Sequence, residues 1–158
     1  MIQRIQSVFL LLLAVAMLSV VFLPIWSKTD PLSKQELVLT STKIAYAHAD
    51  PGMSVTTSTY AIVALALASA AVALFEIFQY RNRFLQLKLG FFNLLLIVAT
   101  IGASYYYSGV AEQMLNVKIP GTFEAGFYLP TLALVLNLLA SRFIRRDEQL
   151  VRSMDRLR

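Results

Sequence analysis

Residues 60–107 read YAIVALALASAAVALFEIFQY, then RNRFLQLK, then LGFFNLLLIVATIGASYYY. Each apolar run approaches the length of about 20 residues that a helix needs to cross a bilayer. The turn between them carries Arg81, Arg83 and Lys88. Bases flanking a span resist translocation, so the turn belongs on the cytosolic side. The stretch is a transmembrane hairpin, and the chain is organised around it. Composition agrees: of 158 residues, 58% are hydrophobic and 15% charged, against about 45–50% and about 25% in soluble domains.

Upstream, MIQRIQS leads into VFLLLLAVAMLSVVFLPIW. Val8 to Trp26 is 19 residues without a charge, longer than the usual signal-peptide core of about 7–15. No small-x-small cleavage site follows, so the segment reads as an uncleaved span ending at Trp26, an interfacial anchor. Residues 27–58 form the first outer loop. Asp30-Pro31 and Asp50-Pro51-Gly52 are turn signals near its ends. Between them, Leu37 and Leu39, then Ile44, Tyr46 and His48, alternate with smaller or polar residues. That pattern predicts a small β-hairpin over Gln35–His48 turning near Ser41-Thr42. An isolated hairpin is marginal in water, so this one needs the helix ends or a partner beneath it.

In the second run, Ala61, Ala64, Ala68 and Ala71 make one stripe, and Ala66, Ser69, Ala70 and Ala73 cover most of the remainder. Small residues let helices approach closely in lipid, which marks this helix as the expected centre of the bundle. The third span carries Asn93, Thr100, Ser104 and Tyr107 as a mildly polar stripe. Gly109, Pro120, Gly121 and Gly126 punctuate a second outer loop, with one helical turn expected over Val110–Leu115. A fourth span follows, and the tail continues it as a basic amphipathic helix with Leu150, Met154 and Leu157 on one face.

The expected architecture is an all-α membrane protein. Four transmembrane helices (about 5–26, 59–80, 88–108 and 127–144) form a bundle with a small extracytoplasmic β-hairpin in the first outer loop. The outer loops are 27–58 and 109–126, and the cytosolic tail is 145–158. Ten of the 14 Lys and Arg residues lie in Arg4, Arg81, Arg83, Lys88 and the C-terminal Arg142, Arg145, Arg146, Arg152, Arg156 and Arg158. Only Lys28, Lys34, Lys43 and Lys118 lie in the two loops. This asymmetry places both termini in the cytosol.

Among the bases, Arg81, Arg83, Arg142, Arg145, Arg146 and Arg152 are the candidates for lipid-headgroup contact. Their position at span ends also argues against nucleic acid as the partner of the +5 net charge. With no Cys and one His, disulfides, thiolate sites and His-rich metal sites are excluded, and no cofactor is expected. His48 has only Asp50 near it and reads as a loop histidine.

Glu76, Asn93 and Asn137 are polar residues inside apolar runs, each about one to two turns from its expected cytosolic end. At that shared depth they would meet as one polar layer, which Gln79 and Ser141 would extend. An intramembrane ionisable residue suggests a proton or cation relay. The competing readings are a buried contact that fixes helix register and a polar contact for a partner subunit. No catalytic motif is present: neither a Gly-rich phosphate loop, nor HExxH, nor GxSxG, nor paired intramembrane Asp residues. An enzyme is not expected.

The two ends of the chain carry a resemblance. MIQRIQS before a Leu-rich span, and LASRFIRRDEQLVRSMDRLR at the close, are similar to a family of small bacterial inner-membrane proteins known as domain of unknown function 4293. The resemblance covers essentially the whole chain. It implies a four-helix inner-membrane protein and supplies no activity, ligand or site residue. The functional expectation is a non-enzymatic membrane component, an accessory or scaffold subunit binding another membrane or envelope protein or a second copy of itself. The alternative is a small transporter or channel using Glu76, Asn93 and Asn137.

Overall fold

Apolar length decides the helices. A computed structural model describes residues 2–31, 35–47, 57–79, 82–115 and 118–155. His48, Asp50 and Arg81 lie outside the described residues, as do the side chains of Arg83 and Arg152. The helices are α1 (Ile2–Val20), α2 (Tyr60–Phe78), α3 (Arg83–Met114) and α4 (Ala125–Asp155). Three segments are long and apolar enough to cross a membrane: Tyr60–Phe78, Phe84–Met114 and Ala125–Asp147. The apolar part of α1, Ile5–Val20, is shorter. The outward surfaces carry Leu11, Leu12, Val15, Phe91, Leu95, Val98, Leu132 and Val135, all exposed. A soluble monomer rarely exposes so continuous an apolar surface, so a lipid environment is indicated.

The first helix ends six residues before the expected boundary at Trp26. Val21 and Phe22 close a tight turn onto Leu18 and Ser19, and Pro24 bars helical continuation, having no N–H to donate. Trp26 is therefore no interfacial anchor. It begins strand β1 (Trp26–Thr29) and is 1% exposed. The expected hairpin is present as β2 (Glu36–Leu39) and β3 (Lys43–Tyr46), with Leu37 opposite Tyr46 and Leu39 opposite Ile44. Its turn spans Thr40 to Lys43, where the Thr40 N–H and hydroxyl both donate to the Lys43 carbonyl.

The hairpin belongs to a larger sheet. With β4 (Thr57–Ser58) and β5 (Thr122–Phe123) it forms five antiparallel strands in the order β4-β3-β2-β1-β5. Both loops thus contribute to one cap. Its apolar side chains Trp26, Leu37, Leu39 and Ile44 are buried with Val20, Ile62, Ala111 and Leu115 from the helix ends. This supplies the support that an isolated hairpin lacks. The residues expected as a separate helical turn, Val110 to Met114, continue α3 instead.

The helices pack in a ring in chain order, each chiefly on two neighbours, with α4 returning to α1. This corrects the expectation of α2 as a centre that touches the others on several sides. It buries one face, Ile62, Ala66, Ser69, Ala70, Ala73 and Glu76, against α1 and α3. Ala61, Ala64, Ala68 and Ala71 face outward. The interior between helices is built from Leu13, Ala14, Met17, Ala66, Ala70, Ala73, Ile97 and Ala133. Small residues there bring the backbones close, which is where helix association in lipid finds its energy.

A buried polar layer as candidate functional site

Glu76 lies in the last turn of α2, at the end away from the sheet, and is fully buried. Its backbone carbonyl accepts from Gln86 Nε2 at 3.0 Å and from the Gln79 N–H at 3.2 Å. The α3 side chain thereby adds a second donor to a carbonyl at the helix end, where the intrahelical ladder runs out. Neither carboxylate oxygen of Glu76 has a hydrogen-bond partner among the described residues.

Gly90 of α3 makes room for this carboxylate. A Cβ at Gly90 would sit 3.3 Å from Glu76 Oε1 and 3.0 Å from Ser141 Oγ of α4. The space left by one missing side chain is therefore where α2, α3 and α4 bring polar atoms together. Asn137 completes this level by donating from Nδ2 to the Gly90 carbonyl at 2.9 Å, and its Oδ1 is left without a partner. Asn93 is turned elsewhere: Ser69 Oγ donates to its Oδ1 at 2.6 Å, and its Nδ2 is unpartnered. Ser69 and Glu76 are two helical turns apart on α2, about 10 Å along the axis.

All three expected residues are buried. Among the described residues, however, no hydrogen bond joins any two of them. They occupy two levels rather than one, with Gly90 linking Glu76 to Asn137. Gln6 of α1 adds a further buried amide whose Nε2 has no partner. Farther along α3, Thr100 and Ser104 donate to the carbonyls of Leu96 and Thr100 in their own helix. Such back-bonding satisfies a hydroxyl locally, so of that stripe it is Asn93, through Ser69, that makes a hydrogen bond to another helix among the described residues.

The basic residues of α4 form a second feature. Arg142, Arg145 and Arg146 are exposed. With Leu138, Ser141 and Gln149 they line a groove of about 520 Å³. Ser141 borders both the groove and the space beside Gly90. Among the described residues no three His, Cys, Asp or Glu side chains come together as a metal site.

At the sheet end the structure reveals a cluster that sequence reasoning did not single out. The Lys28 side chain is wholly buried, and its Nζ donates to the carbonyls of Glu112 at 3.1 Å and Leu115 at 3.3 Å. It also lies 3.5 Å from Glu112 Oε1. A lysine thus caps the C-terminal end of α3, where open carbonyls favour a cation. Glu112 Oε1 in turn accepts from the Gly121 N–H at 3.2 Å. Gly121 is required here, because a Cβ would overlap the Trp26 ring. A lysine in a polar loop ordinarily points to water, so Lys28 gave no sign of burial.

These features define a mostly helical membrane protein whose two loops close into one sheet and whose opposite end buries unpaired polar groups. The chain belongs to a family described as domain of unknown function (DUF4293), whose model matches residues 2–157. A search of the curated proteins finds no match.

Proposed function

We propose that this protein crosses the bacterial cytoplasmic membrane four times, with both termini and the α2–α3 turn in the cytosol and the sheet outside. In this reading it is a non-enzymatic accessory subunit that binds another membrane protein through α2. The observation that carries the reading is the division of α2 into two small-residue faces. Ala66, Ala70 and Ala73 are used up inside the ring, while Ala61, Ala64, Ala68 and Ala71 remain open along the opposite side. Lipid gives an alanine stripe no advantage over leucine, whereas a partner helix gains close backbone approach from it.

The test is native mass spectrometry of the tagged protein drawn gently from its own membrane. A stoichiometric second protein is expected, and Ala64→Leu with Ala68→Leu should remove it while the thermal midpoint holds. A second copy of this chain on the same stripe would make it a homo-oligomer instead. Partner retention in the doubly substituted protein would end the reading.

One observation favours a second reading, a small transporter or channel. A layer whose only task is to fix helix register has no need of a buried carboxylate with both oxygens open, together with the free amide atoms of Asn93 and Asn137. Glu76→Gln separates the two readings. Loss of all cellular function at normal expression supports transport, whereas retained function supports the accessory role.

A further inference from the structure

Among the described residues, the α4 groove is lined by 138, 141, 142, 145, 146 and 149. Their spacing of three and four puts them on one face of the helix. At about 100° per residue, Asp147 falls on the far side. Among the described residues no ion pair holds Arg142, Arg145 or Arg146. Like charges three and four apart repel and weaken a helix by a few tenths of a kcal/mol per pair. The sequence nevertheless places Arg142, Arg145 and Arg146 together there, all three exposed.

The groove also changes character along its length. Leu138, half exposed, lies at the end that joins the apolar part of α4, and the guanidiniums and Gln149 lie at the other. A volume of about 520 Å³ is within the range of about 300–1,000 Å³ typical of ligand sites.

We infer that this groove holds one anionic phospholipid, its phosphodiester gripped by Arg142, Arg145 and Arg146 and its acyl chain laid along Leu138. Guanidinium forks match phosphate oxygens bidentately, so three of them select a phosphate rather than merely attract an anionic surface. Ser141 and Gln149 supply neutral donors to the same headgroup. A free phosphate would satisfy the arginines and leave Leu138 without a partner, which is why a lipid is the occupant. The inference rests on the proposed placement of this end of α4 in the cytosolic leaflet. It is independent of the partner on α2.

The test uses the full chain in nanodiscs of equal phosphatidylglycerol and phosphatidylcholine, followed by native mass spectrometry. One phosphatidylglycerol per chain should be retained in preference to phosphatidylcholine. R142Q/R145Q/R146Q should reduce that preference at least tenfold. K43Q/K88Q/K118Q, which removes the same charge from exposed residues that do not line the groove, should leave it within twofold. Equal losses in the two triple variants would overturn the inference in favour of general surface attraction. Displacement of the lipid by inorganic phosphate at equal concentration would overturn it in favour of a soluble anion. Should the first variant not fold, R145Q alone is expected to cut the preference severalfold, and an unchanged preference counts against the site. Labelling Gln149→Cys from each side of the membrane tests the leaflet separately, so an error in placement is distinguishable from an absent lipid site.

Discussion

At the sheet end, buried polar groups meet partners. Lys28 has two carbonyls and a carboxylate. Ser41 Oγ donates to the Val21 carbonyl, and Thr59 Oγ1 donates to the Thr40 carbonyl. At the other end of the ring, Gln6, Glu76, Asn93 and Asn137 together leave five buried side-chain atoms without a partner among the described residues. An unsatisfied buried group costs about 1–3 kcal/mol. The sheet end is therefore built for stability. The polar end gives stability up, and such local concessions concentrate where a protein binds or moves something.

This contrast can be broken most forcefully at Trp26. Trp26→Ala should lower unfolding stability by about 3–5 kcal/mol, the cost of emptying a large aromatic site, measured by reversible denaturation in detergent. A loss under 1 kcal/mol would mean that the cap is not a packed core. Lys28→Met comes next. It strips charge-assisted bonds from the end of α3 and should cost about 1.5–3 kcal/mol, with faster hydrogen exchange at Gly121 and the last turn of α3.

Apolar replacement at the polar end should go the other way. Glu76→Leu removes two oxygens that have no partner, so stability should rise or stay within about 1 kcal/mol of wild type. A large loss there would show that Glu76 is held by something and would erase the difference between the ends. The smallest effect is expected for Gly90→Ala. Greater helix propensity favours alanine by about 1 kcal/mol, and crowding against Ser141 Oγ and Glu76 Oε1 offsets it. The net change in midpoint should be near zero. Gly102→Ala, with nothing near its Cβ position, should instead stabilise.

The long helices α2, α3 and α4 were readable because apolar length is a property of the sequence itself. The hairpin was readable because Leu37, Leu39, Ile44 and Tyr46 alternate. Strands of two residues, such as Thr57–Ser58 and Thr122–Phe123, have no period to detect, so a five-stranded sheet appeared as a two-stranded one. Trp26 misled for a related reason. An indole after an apolar run looks the same at a membrane interface and at the start of a strand.

For the site, Glu76, Asn93 and Asn137 stood out as polar residues in apolar surroundings. That Asn93 would turn to Ser69 depends on which faces meet, and helical spacing on one chain does not give that. The part played by Gly90 was hidden, since Gly102 in the same helix has identical sequence character and nothing beside it.

The pairing of β1 with β5 joins Ser27 to Thr122, 95 residues further along the chain. A ribosome delivers the first partner long before the second. Between those moments the Trp26 strand has its β2 neighbour but an open edge, and Gly121 has not yet arrived to cover the indole. Closing so long a loop is slow and entropically costly. The cap is thus completed only after α2 and α3 are in place. Protection of Trp26 then reports that the strand following α3 has reached its partner, and so that residues on both sides of the two central helices have come together.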